Sequence, residues 1–343
     1  MTSVTVRSLD GLEWEEAAFG VRFAGRYADL ARPMGATKLG FNLQELPPGK
    51  ASVPYHTHYV NEELILVLEG EPTVRLESGY HALRPRDVVA LPPGAAGAHQ
   101  LVNHGSGLAV ALLASTMIPH EYVEYFDSGK RAFGAGELAR EKRREWLMLH
   151  EGQALTPGDL ASYFLGERFD DPLDPAPAAA ERDPKIVHLD DVPWESYATG
   201  PFRAERRRVG MVAGARLLGI SVYRVAPGER MWPYHFHHVN EEMFLVLSGR
   251  ARLRTPDGER EVGPREVVLC PPGAGGAHGF TALGDEPFEV FALSTMIHPE
   301  VSEYPDSGKV YVMVGSAPGG AGGRALDLVV RKSDAVRYED GES

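Results

Sequence analysis

The sequence predicts an all-β chain made of two copies of one fold, and three features carry that prediction. Thirty-eight glycines and 26 prolines in 343 residues, with an aromatic content of 9%, suit many short strands joined by tight turns better than long helices. Short apolar runs such as LILVL (64–68), DVVAL (87–91) and LAVALLAS (108–115) are punctuated by Gly, Pro and Asn, as in a compact antiparallel barrel or sandwich. Finally, His56, Glu63, Gly70, His99, Thr116, Tyr125 and Lys130 recur as His235, Glu242, Gly249, His278, Thr295, Tyr304 and Lys309, each 179 residues on. A constant offset over that span is the mark of an internal duplication.

Taken in order, the chain opens on MTSVTVRSLDGLEWEE, which has no apolar core behind a basic start. No 18-residue apolar run occurs later, so a soluble, cytoplasmic protein is expected. The first copy is assigned to 1–167. Its FNLQELPPG (41–49) matches ISVYRVAPG (220–228), and YFLGE at Tyr163 matches YEDGE at Tyr338, where the offset has fallen to 175. An insertion within 132–144 accounts for the change, and GELAREKRRE there reads as a short solvated helix. LMLHE after it corresponds to the strand-like DLVVRK of the second copy. Residues 168–184, RFDDPLDPAPAAAERDP, read as an interdomain linker because Pro, Asp and Ala dominate without apolar periodicity. The second copy takes 185–343.

Leu64 to Leu68 is apolar at every position, so that strand is expected to be covered on both faces, as a two-sheet barrel would cover it. RPRDVV and GPREVV put Pro85 and Pro264 at the second position of a turn, read as type I, which needs no positive φ at the next residue.

A formal charge of −13 disfavours nucleic acid or an anionic membrane as partner and leaves a small molecule as the better one. Cys270 is the single cysteine, so no intramolecular disulfide can form; it reads as a buried strand thiol.

The chemistry concentrates in PYHTHYVNEELILVLEG (54–70) and PYHFHHVNEEMFLVLSG (233–249). Histidines at i and i+2 of a strand point to the same side, so His56 with His58, and His235 with His237, can each reach one point. A glutamate pair follows each, Glu62–Glu63 and Glu241–Glu242.

These stretches resemble the first cupin motif, a leading Gly, HxH, a spaced Glu and a closing Gly. Gly49, His56, His58, Glu63 and Gly70 match it, as do Gly228, His235, His237, Glu242 and Gly249, with one extra residue after the leading glycine. The second cupin motif is approached by Pro92, Gly94, His99 and Asn103, and by Pro271, Gly273 and His278. Two extra residues precede each histidine, Ala282 stands in place of the asparagine, and Arg86 and Arg265 stand in place of the leading glycine. The chain is therefore similar to a bicupin. The resemblance implies two tandem double-stranded β-helix (jelly-roll) barrels with short helices. It also implies one divalent transition metal per domain (Fe, Mn, Ni, Cu, Co or Zn), held by His56, His58, Glu63 and His99 and by His235, His237, Glu242 and His278. Three imidazoles and a carboxylate suit those ions and leave coordination positions open. The motif spacing prefers Glu63 over Glu62 and Glu242 over Glu241, with the other glutamate of each pair facing away.

Alternation from these residues sends Ile65, Val67 and Leu101 inward in copy one and Phe244, Val246 and Phe280 in copy two, so the second pocket is the more aromatic. No arginine is placed toward either cluster, which disfavours a small dicarboxylate. His104, His188, His238 and His298 lack spaced partners and read as surface or packing residues, as do His120, Tyr122 and Tyr125, which are placed beyond the barrel. The repeated DSGK (127–130, 306–309) reads as a tight turn, with Asp and Ser bonded to backbone and Gly at positive φ.

Cupins include dioxygenases, decarboxylases, isomerases and non-enzymatic binders, so the fold alone selects no reaction. The pocket reading favours a metal-dependent, oxygenase-like enzyme acting on a small, partly apolar organic molecule. The other class is a metal-dependent ligand-binding protein without turnover. The resemblance also implies that the two copies pack as paired single cupins do, and it leaves a homo-oligomer open.

Overall fold

A computed structural model describes residues 3–136, 145–156, 158–177, 181–320 and 322–342. Two compact units are formed. One holds Asp10–Pro193 and Arg208–Ile220; the other holds Met1–Leu9, Trp194–Arg207 and Ser221–Ser343. Each is built almost wholly of antiparallel strands, with a parallel pairing of Phe23 and Ala51 in one and only short helical turns, the jelly roll that the family resemblance implies.

In the first unit the longest sheet runs Ile186–His188, Asp87–Leu91, Glu63–Glu69, Ala109–Thr116, Leu39–Leu46 and Phe23–Asp29, then continues through Lys50–Ala51, Gln100–Asn103, Thr73–Leu76 and Gly79–Ala82. A second sheet orders His56–His58, Glu121–Tyr125, Lys130–Ala135, Glu145–His150 and Gln153–Leu155. Ile65, Val67, Val74, Val89, Leu101 and Ala111 form one buried cluster inside. Leu64 and Leu66, on the opposite face of the same strand, are buried too, so the unbroken apolar run is covered on both sides.

The second unit repeats the plan. Glu242–Ser248 lies between Glu266–Cys270 and Phe288–Thr295, and Phe236–His237, Glu300–Tyr304, Lys309–Val314 and Leu326–Arg331 form a separate sheet. Its interior holds Phe244, Val246, Cys270, Phe280 and Phe288, with Tyr223 and Trp232 packed against them. The inward assignments and the aromatic difference between copies therefore hold, and Cys270 is a buried thiol.

LMLHE folds as expected: Glu145–His150 pairs with Lys130–Ala135 as Leu326–Arg331 pairs with Lys309–Val314. The helix expected from GELAREKRRE falls on 137–144, outside the described residues. The stretch 168–184, read as a linker, makes specific contacts at both ends. Phe169 packs edge-on to Phe19 and accepts from the Val21 and Arg22 amides, while Arg182 bonds Asp87 at 2.7 Å.

The turns at Pro85 and Pro264 differ from the expected type I. Arg86 and Arg265 have φ of 73° and 65°, and the Asp87 amide donates to Arg84 O at 3.0 Å, which makes a type II turn. Glycine is the usual occupant of this left-handed position. Here the cost of an arginine is offset by its fixings: the Arg86 amide donates to Val67 O, its carbonyl accepts from Leu189, and its guanidinium grips both Asp190 carboxylate oxygens at 3.0 Å.

The DSGK turns also form, with Gly129 and Gly308 at φ of 68° and 63°. Their aspartates, however, bind side chains. Asp127 takes a bidentate bond from Arg75 at 2.6 and 2.8 Å, and Asp306 takes one from Arg254 at 2.7 and 2.8 Å. Each arginine lies 4.0 Å over a tyrosine ring, Tyr55 or Tyr234. The turn is thereby tied to Thr73–Leu76 or Arg250–Thr255 and to the tyrosine that precedes each HxH.

One consequence is measurable. Arg86→Ala and Arg86→Gly both lose the Asp190 pair, but only the alanine keeps the left-handed strain. Urea denaturation should therefore find the glycine variant more stable by about 1 kcal/mol, and equal stabilities would refute the strain argument.

Candidate metal centres

In each unit the HxH histidines and the third histidine come together because their backbones pair. His56 and His99 form an antiparallel bridge, with His56 N to His99 O at 3.1 Å and His99 N to His56 O at 2.8 Å. His235 and His278 do the same at 3.2 and 2.9 Å. Ring centroids then lie 4.6 and 4.8 Å apart.

The lengthened loop before the third histidine contains a three-residue 3-10 turn, Ala95–Gly97 or Ala274–Gly276. A Cβ on Gly97 would sit 1.9 Å from Pro92 O, and one on Gly276 1.8 Å from Pro271 O, so only glycine fits. That turn presents Gly97 O to His99 Nδ1 at 2.9 Å and Gly276 O to His278 Nδ1 at 3.0 Å. His56 and His235 are held alike by Pro54 O and Pro233 O, both at 2.9 Å. With Nδ1 held by a carbonyl, Nε2 of each ring is left to face inward.

Glu63 closes the first cluster, with carboxylate oxygens 3.4 Å from His58 Nε2 and 3.3 Å from His99 Nε2. Glu242 stands 3.4 Å from His237 Nε2 and 3.2 Å from His278 Nε2. One donor atom each from His56, His58 and Glu63 lies within 4.8 Å of the others, and so does one each from His235, His237 and Glu242. Burial and then the neighbouring imidazoles push His56 down to about 3 and His235 well below its usual value, while burial pushes His99 down to about 4. Those shifts favour the neutral ring, the state in which imidazole ligates a metal, whereas for His237 and His278 burial is outweighed, by Glu242 and Glu300 and by Cys270 and Glu242, and both are raised. Burial acts to raise the Glu242 carboxyl, but His237 and His278 outweigh it and bring it to about 2.

The donor set fits a cation. Glu242 Oε2 and His278 Nε2 are buried and face each other at 3.2 Å, with no hydrogen-bond partner but one another. A proton on His278 or a cation between them would satisfy both.

Glu62 does face the other way. Its carboxylate, fully buried, accepts from the backbone amides of Arg216, Leu217 and Leu218 at 2.9, 2.6 and 2.7 Å. Those residues follow the helical turn Val209–Ala213 and belong to the same compact unit. Burial pushes the Glu62 carboxyl up, and the three amides pull against it.

Sequence reasoning missed the groups behind the ligands. Glu121, buried, approaches His58 Nδ1 at 3.4 Å and accepts from the Val60 and Asn61 amides at 3.1 and 3.2 Å. Asn61 Oδ1 takes bonds from Thr116 Oγ1 and the Ile118 amide, and its Nδ2 donates back to Glu121. Glu300, Asn240 and Thr295 repeat this around His237, where Ser302 Oγ adds a contact at 3.1 Å. The signal was available, since all three pairs recur at the 179-residue offset.

Tyr125 is a correction. Strand Glu121–Tyr125 pairs with His56–His58, so Tyr125 stacks on His56 with centroids 5.9 Å apart instead of lying outside the barrel; Tyr304 stacks on His235 at 5.7 Å. Burial first of all raises both phenols to about 12, which keeps them protonated. Tyr163 packs edge-on to Tyr125, and Lys130, buried, lies 5.3 Å from the Tyr125 ring centroid and pairs with Glu167 at 2.7 Å.

The departures from the second motif are explained as well. Asn103 donates to Leu46 O and Gly107 O and accepts from the Gly105 amide, so it shapes a turn and Ala282 removes no ligand. His188 bonds Asp87 and His238 bonds Glu303, the packing roles expected of them.

Two antiparallel jelly-roll units, each with three histidines and a glutamate gathered inside, define a tandem β-barrel protein of the cupin kind. The Cupin domain family matches residues 42–115 and 221–294, and the chain belongs to the cupin superfamily as a two-domain member, a bicupin. A comparison with curated proteins found no match. Among solved structures it is similar to the Lactobacillus farciminis oxalate decarboxylase formate complex, at 15% identity over 87% of this chain and 88% of that one, TM-score 0.54. It is similar also to a protein described as glyoxylate-induced from Pseudomonas aeruginosa, at 17% identity over 85% and 89%, TM-score 0.53. These likenesses concern the fold. Among the described residues no helix is long and apolar enough to cross a membrane.

Two stability predictions follow from the buried carboxylates. Glu62→Ala should cost about 3 kcal/mol in chemical denaturation, because three amides lose a charged acceptor, while leaving metal content as in the parent; loss of metal would mean that Glu62 acts at the centre. Lys130→Met should cost roughly 3–5 kcal/mol by stranding Glu167, and Lys130→Met with Glu167→Leu should recover much of it. A double variant no better than the single would show the pair to be stabilising in itself.

Proposed function

We propose that each barrel holds one divalent transition metal ion, through His56, His58, Glu63 and His99 in the first and His235, His237, Glu242 and His278 in the second. On this reading the chain is a metal-dependent, oxygenase-like enzyme acting on a small, partly apolar organic molecule. The observation that carries the reading is a convergent set of imidazoles and one carboxylate inside the barrel that occurs twice. When bound, such an ion supplies Lewis acidity and redox chemistry toward dioxygen.

The protein's own part is to hold and exclude. Carbonyl oxygens at Pro54, Gly97, Pro233 and Gly276 fix the ring orientations. Glu121 and Glu300 stand behind the second histidine of each HxH. The apolar walls around Ile65 and Leu101, or Phe244 and Phe280, favour a ligand with an apolar body and keep bulk water from the reacting atoms.

The purified chain should carry close to two transition-metal ions by elemental analysis, and Glu63→Ala with Glu242→Ala should empty both sites. Unchanged metal content in that double variant would sink the assignment. The reaction class is read from a substrate panel followed for oxygen uptake and carbon dioxide release. Oxygen uptake supports the oxygenase reading, carbon dioxide without oxygen uptake replaces it with a lyase, and tight binding without product replaces it with a binding protein. The structurally similar Bacillus subtilis oxalate decarboxylase has Mn(II) centres, which makes Mn(II) one of the ions for reloading, beside Fe(II).

A further inference from the structure

We propose that Arg206 is the anion anchor of the second barrel, so that the ligand of this site is an aromatic or similarly apolar carboxylate rather than a neutral molecule. The proposal deepens the reading above and rests on it for the site being ligand-binding. On strand Phe202–Arg207, Ala204 belongs to the interior cluster with Val225, Phe244 and Val246. Arg206, two residues on, shares that face. Opposite it on strand Leu218–Val225, Tyr223 packs against the same cluster and is the direct strand partner of Arg206; Ser221 is two residues before Tyr223. The sequence placed no arginine toward either centre, and Arg206 corrects that.

The guanidinium is held but not neutralised. Its Nε and one terminal nitrogen donate to Ser221 Oγ at 3.0 and 2.9 Å, and its carbon lies 5.4 Å from the Tyr223 ring centroid. Among the described residues no carboxylate pairs with it, whereas Arg203 and Arg224 nearby have Glu229 and Glu205. Gly319 lies against the guanidinium so closely that a Cβ there would be 2.5 Å from it. A partly buried arginine fixed by one neutral hydroxyl keeps N–H donors for an anion, and its fork matches a carboxylate.

An aromatic path leads from this charge to the metal ligands. Tyr223 stands edge-on to Trp232 at 4.8 Å, and Trp232 lies 5.9 Å from His235 and 6.3 Å from His278. Phe244 continues the wall at 5.2 Å from His278. A flat apolar body along these rings, with a carboxylate at Arg206, would direct its other end to the histidine cluster. In the first barrel Tyr27 and Gln44 occupy the positions of Arg206 and Tyr223 at the 179-residue offset, so the two sites should differ in charge preference.

The test is calorimetric titration of the full-length, metal-quantified protein with phenylacetate and with phenylacetamide, its neutral counterpart. The parent should bind phenylacetate about ten- to a hundredfold more tightly than the amide. Arg206→Met should abolish that preference while leaving amide affinity unchanged, and Arg206→Lys should retain part of it. Equal affinities in the parent, an undiminished preference in Arg206→Met, or no binding of either probe would each overturn the proposal. Weaker amide binding in Arg206→Met would mean a collapsed site, and the smaller Ser221→Ala change then decides: a reduced carboxylate preference supports the anchor, an unchanged one overturns it. Preference lost in metal-replete protein fails this proposal alone, whereas preference kept in protein that takes up no metal fails the metal reading alone.

Discussion

Two adjacent glutamates on a pleated strand must point to opposite faces, and neither can be buried as an anion without partners. In the first barrel that constraint sets the strand's orientation. Glu62 goes to the outer side, where three consecutive amides of Arg216–Leu218 receive it, and Glu63 is thereby turned into the histidine cluster. The apolar residues that follow obey the same alternation, with Ile65 and Val67 inside and Leu64 and Leu66 buried on the other face. A one-residue slip would bring Glu62 to the imidazoles and strand three amides, so carboxylate recognition and register enforce each other.

Behind the cluster the polar groups are linked in an order that repeats in both copies. Threonine bonds asparagine, asparagine bonds glutamate, and glutamate stands behind the second histidine of the HxH pair. Satisfied buried networks of this kind hold side chains in one arrangement, and a partly satisfied one would be costly. What the network leaves at the centre are facing donor atoms, Glu63 with His58 and His99 and Glu242 with His237 and His278, an arrangement that a cation would satisfy.

The duplication has kept the donors and changed the walls. Ile65, Leu101, Leu91 and Gln44 of the first copy stand where the second has Phe244, Phe280, Cys270 and Tyr223. The surroundings of the stacked tyrosines diverge also. Lys130 is buried against Glu167, with Tyr163 edge-on to Tyr125, while Tyr338, the sequence counterpart of Tyr163, is 95% exposed. The two donor sets are thus alike in residue type, while the walls around them differ in size and aromatic content.

By itself the sequence determined the repeat, the all-β class and the inward strand faces, because each follows from a period along the chain, and its resemblance to the cupin motif implied Glu63 and Glu242. It also held, unread, the recurrence of Glu121 and Asn61 at the same offset, and showed that of Tyr125 without its role. Their meaning depends on Glu121–Tyr125 pairing with His56–His58, a neighbour distant in the chain. Only the tertiary structure decided the left-handed turns at Arg86 and Arg265, where long-range backbone bonds and, for Arg86, an ion pair outweigh local preference. It alone set the acceptors of the DSGK aspartates, the amides that receive Glu62, and the inward aim of Arg206. Each of these depends on which strand lies beside which, a consequence of long-range pairing that no local pattern encodes.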